Sequence, residues 1–335
     1  MSSSKLFKSV LCVAFLVLLI LAVTACSQKT ETPAPEDPTA AALPTIKVGT
    51  LQTDDLLPLW VAQAEGFLTD VGLDVEIITF QAPQEQLAAV TAGEIDAIMT
   101  DMAVPALLAA SGTSIRAATV MQGMPAGIVT TPDSGLNSLK DLAGVPVALS
   151  TATIIEYLVD TALPAAGIPA EQVKAEEIDK LPVRLEMLMA GQVKAAGLPW
   201  TLVAMAQQQG ANVLFDREAA KDYPATVLCF TQKFLDGTPA VGNATTPEAA
   251  AEAIKTLLPA WDRAVEKINA GPDTYRSLLV EKANLPEPLR ETYPIPTYPK
   301  THLPEQAQWD AVLAWMDAKG YLQTPITYND LIIQP

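Results

Sequence analysis

A helix–turn–strand unit that occurs twice constrains this chain more than any other feature. Residues 89–101 read AVTAGEIDAIMTD and residues 187–199 read MLMAGQVKAAGLP. In each, a small apolar run of helical character stops at Ala-Gly and gives way to a short alternating stretch. Glycine ends a helix readily because it adopts the left-handed backbone without a Cβ clash. With Gly93 aligned on Gly191, Leu87 meets Leu185, Val90 meets Leu188, Ile95 meets Val193 and Ala97 meets Ala195. Two copies of one unit imply two equivalent α/β halves.

The segments around each copy follow the same order. TIKVGTL (45–51), LDVEIITF (73–80), EIDAIMT (94–100) and SIRAATVMQ (114–122) have strand patterns. Between them, 57–72, 83–93 and 104–112 have helical ones. Such β-α-β alternation predicts a mainly parallel sheet flanked by helices. A second series begins near 131, with strands at VPVALS, KAAGL and ANVLFD and helices at 138–144, 151–167, 182–191 and 199–210. The remainder is mostly helical and has to bury its apolar faces, so it is expected to return to the first half. The chain thus reads as α/β and two-lobed: 45–130 with 225–335 as lobe I and 131–224 as lobe II. Extended segments at 126–131 and 225–230 cross between them.

The first 44 residues are of another kind. Lys5 and Lys8 precede an apolar run, Val10–Val23, and small residues follow, the layout of a secretion signal over 1–25. Fourteen apolar residues are short of the roughly 20 that span a bilayer. Val23-Thr24-Ala25-Cys26 resembles the bacterial lipoprotein box. The resemblance implies cleavage before Cys26, lipidation of that residue and attachment to a membrane outside the cytoplasm. Residues 26–44, rich in Pro, Thr, Ala and acids, read as a tether. Of three cysteines, Cys12 leaves with the signal and Cys26 carries lipid. Cys229 remains alone, so the exported body has no disulfide. Without Lys5 and Lys8 the 21 basic residues become 19 against 38 acidic, a net charge of about −19. That excludes a nucleic-acid partner, which needs a basic footprint.

IKVGT, LPLWVAQAEGFLTDVGLDVEI and LAAVTAGEIDAIMTD resemble type II periplasmic substrate-binding proteins of the aliphatic sulfonate, taurine, nitrate and thiamine-pyrimidine-precursor group. So do NSLKDLAGVPVALS, LEMLMAGQVKAAGLPW and AWMDAKGYLQTPITYNDL. Lys194 stands where the second copy usually has Asp. The resemblance implies the type II periplasmic binding protein fold, with a small molecule captured between two lobes. It also implies delivery of that molecule to the permease and ATPase of an ABC importer, by a monomer that needs no cofactor.

Ligands of open α/β sheets sit beyond the carboxyl ends of the strands. In the first half those loops hold Thr53 and Asp54, then Thr100, Asp101 and Met102, and Gln122 after the strand at 115–120. In the second they hold Ser150, Thr151 and Thr153, and Trp200 after Pro199. The hydroxyls either cap the following helix or touch ligand. Trp200 either stacks on ligand or packs between the lobes. Asp54 and Asp101 are the carboxylates favoured for ligand N–H groups. These loops carry no Lys or Arg, which points to a neutral, zwitterionic or nitrogen-bearing ligand such as a thiamine pyrimidine precursor. The alternative within the family is a sulfonate, taurine or nitrate receptor.

Catalysis is not expected. His302 is the only histidine and lies in a Pro-flanked loop, YPKTHLPEQ. No Ser-His-Asp or Cys-His set, zinc-type Cys/His spacing or phosphate-cradling Gly-Lys loop is present. The pyrimidine synthase that shares this fold uses a histidine and a Cys-rich motif that this chain lacks. A tethered sensor, the third class, would need an output domain.

Overall fold

Ten strands form two five-stranded sheets in the computed structural model, which describes residues 44–334. The signal segment, Cys26 and the tether up to residue 43 lie outside the described residues. The strands are β1 Thr45–Leu51, β2 Asp74–Phe80, β3 Ala97–Asp101, β4 Ile115–Gln122, β5 Ala126–Thr130, β6 Pro146–Leu149, β7 Lys174–Glu177, β8 Ala195–Pro199, β9 Asn212–Phe215 and β10 Thr226–Thr231. The helices of seven or more residues are α1 Leu57–Ala64, α2 Pro83–Ala92, α3 Ala103–Ala110, α4 Ile154–Ala165, α5 Leu181–Met189, α6 Trp200–Gln208, α7 Pro247–Ala270, α8 Arg276–Lys282 and α9 Gln306–Ala318.

The first sheet has the order β2-β1-β3-β10-β4 and the second β7-β6-β8-β5-β9. Each begins with three parallel strands and then takes one antiparallel strand from the far side of the chain crossing. Those inserted strands, β5 and β10, are the segments read as crossings. Each is buried along its whole length, AGIVT and TVLCFT, as a strand covered on both faces must be. The chain passes between the sheets just outside them, at 123–125 and 216–225. The sheets are therefore mixed, with the parallel part on the side expected.

The repeated unit folds alike in both halves. Gly93 closes α2 with φ 76°, and Gly191 follows α5 with φ 68°. The strands after them, β3 and β8, start four residues beyond each glycine. Two elements differ from expectation. The helix expected over 57–72 stops at Ala64, because Gly66 takes φ 76°, and resumes as a single turn at 67–70. The strand β7, KAEE, is exposed throughout and has no apolar face for a pattern to reveal.

The helical tail packs on the first half through α7, whose Leu257, Trp261, Ala264 and Ile268 are buried in one core with Leu57 and Val61 of α1. The last long helix also reaches the second half. Trp315 Nε1 donates to Asp160 of α4 at 2.9 Å, and Lys319 meets Glu156 at 2.7 Å and Asp160 at 2.9 Å.

Candidate functional site

The carboxyl ends of β1, β3, β6 and β8 converge on an internal cleft of about 60 Å³. Its lining includes Thr53, Asp55, Gln86, Thr100 and Asp101 from the first half, and Ser150, Thr153, Ile154, Leu181 and Pro199 from the second. Thr226, at the start of the inserted β10, joins them. Residues far apart in sequence meet here because parallel strands deliver all their C-terminal loops to one edge.

The first-half wall is built of acceptors. Asp55 sits in a 3₁₀ turn directly after β1, where Thr53 Oγ1 donates to it. Burial raises its carboxyl to about 6, against the opposing pull of the Thr53 hydrogen bond. The Gln86 side chain is only 1% exposed, and its Nε2 donates to Gly49 O at 3.1 Å and Met99 O at 2.9 Å. What remains to that amide is Oε1, an acceptor. Asp101 ends β3. Its Oδ1 accepts from Ala103 N at 2.8 Å and its Oδ2 from Ile154 N, in the opposite half, at 3.2 Å. Burial raises this carboxyl as well.

The second-half wall is built of hydroxyls around the start of α4. Ser150 Oγ accepts from Arg184, whose guanidinium is fully buried and also donates to Ile178 O and Gly197 O. The serine hydrogen is then directed away from the arginine, toward the cleft or toward Asp179 O at 3.5 Å. Thr153 Oγ1 donates to Ser150 O at 2.8 Å. Ala152, between them, has φ 54°, a left-handed backbone unusual for a residue with a Cβ. Burial lowers Arg184 to about 10, which still leaves it cationic at neutral pH.

Of the residues singled out in the sequence, Thr53, Thr100, Asp101, Ser150 and Thr153 line this one cleft. The others lie elsewhere. Asp54, adjacent to the lining carboxylate, is turned away into a buried cluster with Arg217 and the hydroxyl of Tyr293, and its backbone carbonyl takes Tyr298 Oη. Met102 is wholly buried in the core. Thr151 is held outside by Glu177 at 2.8 Å. Gln122 and Trp200 line a separate cavity of about 150 Å³ with Arg217 and Lys221. Trp200 packs rather than stacks on a cleft ligand: its Nε1 donates to Met124 O at 2.7 Å and the Arg217 guanidinium lies 4.7 Å above its ring. A Cβ on Gly127 would fall 2.6 Å from that ring and 2.5 Å from Phe215 O, so β5 needs glycine beside the indole.

The sequence places Asp55 in the same loop as the favoured Asp54, and gives no prominence to Gln86 and Arg184. The last two stand seven residues before Gly93 and Gly191. A polar residue at one register in both copies, each directly before an aligned leucine, is the signal. Away from the cleft, His302 Nδ1 meets Lys300 O at 2.8 Å and Cys229 is buried in β10. Among the described residues no cluster of His, Cys, Asp and Glu is placed to hold a metal. Also among them, no helix is long and apolar enough to cross a membrane.

Two α/β lobes with inserted central strands and a cleft at the strand tips define the periplasmic binding protein architecture. A family model described as "NMT1/THI5 like" matches residues 53–274, and the chain belongs to that family. Solved structures confirm the fold. The periplasmic aliphatic sulphonate binding protein SsuA from Escherichia coli superposes with a TM-score of 0.67 at 18% identity, over 87% of this chain and 92% of that one. The alkanesulfonate-binding SsuA from Xanthomonas axonopodis pv. citri, bound to MOPS, gives 0.70 at 14% identity, over 88% and 100%. The periplasmic nitrate-binding protein NrtA from Synechocystis gives 0.67 at 15%, over 87% and 85%. These three are binding proteins rather than enzymes. A search of curated proteins returns no significant match.

Proposed function

We propose that this chain is the extracytoplasmic solute-binding lipoprotein of an ABC importer, taking a small nitrogen-bearing or zwitterionic compound between its lobes. The observation that carries the ligand reading is the asymmetry of the cleft. One wall offers Asp55, Asp101 and Gln86 Oε1, all acceptors once the carboxyls ionise. The other offers the Ser150 hydroxyl backed by a buried guanidinium. A compound with N–H groups at one end and an acceptor at the other complements both, and an aminopyrimidine of the thiamine-precursor type has that layout. No lysine or arginine lines the cleft, so a bare anion would face two carboxylates without a cation in contact.

The lobe boundary expected at 130/131 moves to the crossing at 123–125, because β5 pairs within the second sheet. The two lobes close on the ligand as rigid bodies, and the crossings at 123–125 and 216–225 absorb the rotation. Cys26 and the tether hold the monomer at the membrane beside its permease and ATPase.

A second reading, a sulfonate, taurine or nitrate receptor, draws on the named neighbours and on Arg184 behind Ser150. Calorimetry on purified, ligand-free protein separates the two. Binding of a 4-aminopyrimidine alcohol without taurine, alkanesulfonate or nitrate supports the first. The reverse pattern overturns it in favour of the second.

A further inference from the structure

The inner cleft shares part of its lining with a second concavity. Leu181 and Pro199, which line the cleft, also line a groove of about 490 Å³ on its outer side. That volume is typical of small-molecule sites, whereas about 60 Å³ admits roughly four water molecules or a small polar head. Leu181, Leu185 and Met189 stand at four-residue spacing on α5 and so share one face of it. Leu202 and Met205 of α6 stand three apart and add a second apolar strip. Phe80, at the end of β2, brings an aromatic ring from the first half. Gln52, Gln81, Gln209 and Asn284 supply neutral amides, and Glu186 is the single charged lining residue.

We infer that this groove is a second compartment of the ligand site. It takes an apolar body of several carbons attached to the polar head held in the inner cleft. The natural ligand is then an amphiphile with a small nitrogen-bearing head, and this rests on the reading of the inner cleft given above. Leu181 and Pro199 belong to both linings, so the groove lies directly against the cleft, within reach of one molecule that spans both. The two methionines, each half-buried, are flexible enough to close around chains of different shape.

The test is calorimetry with two homologous series, n-alkylguanidinium ions and n-alkanesulfonates, from one to eight carbons. The guanidinium series is expected to bind, and to tighten roughly fourfold per methylene while the groove fills. Met205→Trp and Leu202→Trp, checked for an unchanged thermal midpoint, are expected to reduce that slope at least twofold by occupying the space. If methylguanidinium binds but affinity is flat with chain length, or if neither Trp variant alters the slope, the groove is not a ligand compartment. If only the sulfonates bind and they show the slope, the groove stands and the head-group reading falls. If neither series binds, both fall.

Discussion

The two halves brace their central strands with the same strut made from different side chains. In the first, Gln86 of α2 donates to Met99 O of β3; in the second, Arg184 of α5 donates to Gly197 O of β8. Met99 and Gly197 each lie six residues after the aligned glycine, so these hydrogen bonds are equivalent. Each strut also ties in the neighbouring strand or the loop beyond it, Gln86 through Gly49 O and Arg184 through Ser150 Oγ. The neutral strut leaves Gln86 Oε1 as an acceptor in the cleft lining, while the cationic one turns the Ser150 hydrogen away from itself, toward the cleft or Asp179 O. The repeated unit thus supplies a frame whose two walls differ in chemistry at one register position in each copy.

Substitutions at the two struts test their equivalence. The largest loss is expected for Arg184→Ala, which leaves Ile178 O, Gly197 O and Ser150 without their donor. Urea unfolding should show about 3–5 kcal/mol less stability. Arg184→Gln transplants the strut of the other half and should recover part of that loss; stability equal to the parent would show that the charge contributes nothing. Gln86→Ala is expected to cost about 1–3 kcal/mol, since it removes a neutral strut with two hydrogen bonds.

Asp55 sharpens the contrast between walls through pH. Its carboxyl is raised to about 6 in the fold and returns to about 3.8 when unfolded. Between those values the folded protein binds more protons, so this group's contribution to stability falls as pH rises through that window. Asp55→Asn should flatten the dependence by about 1–3 kcal/mol between pH 4 and 7. For a cationic head group the affinity should run the other way, rising as Asp55 ionises near pH 6.

The smallest effect concerns the loops after β1 and β6. Counting from the equivalent residues Val48 and Val147, Thr53 matches Ala152. Thr53 is extended with φ −123°, whereas Ala152 is left-handed. Ala152→Gly should stabilise by about 0.5–1 kcal/mol, read as a higher thermal midpoint, because glycine removes the Cβ penalty.

Much of this frame can be read from the sequence. The alternation of periodicities gives the strands and helices, and the two Ala-Gly stops give the duplication. That Thr53, Thr100, Asp101, Ser150 and Thr153 share one cleft follows from the rule that parallel strands bring their C-terminal loops to one edge. Other features depend on rotation within a turn or on tertiary neighbours. Asp54 and Asp55 are adjacent acids in one 3₁₀ turn, and only the placement of Arg217 and Tyr293 decides which faces the cleft. Arg184 reads as a surface residue of an amphipathic helix until β8 and the Ser150 loop close over it. Trp200 reads equally as a stacking platform or a packed indole until Gly127 and Met124 take its ring and its N–H.

The exchange of β5 and β10 also governs the order in which a nascent polypeptide can become native. The sheet containing β5 needs only residues 126–215, a continuous stretch. In the other sheet the one neighbouring strand of β4 is β10, with a further single bridge from Ala117 to Ile332, so that edge cannot form before residue 231 is available. The half that comes second in the sequence is thus the one whose sheet is complete first, and the earlier half stays open at its centre until β10 has been made.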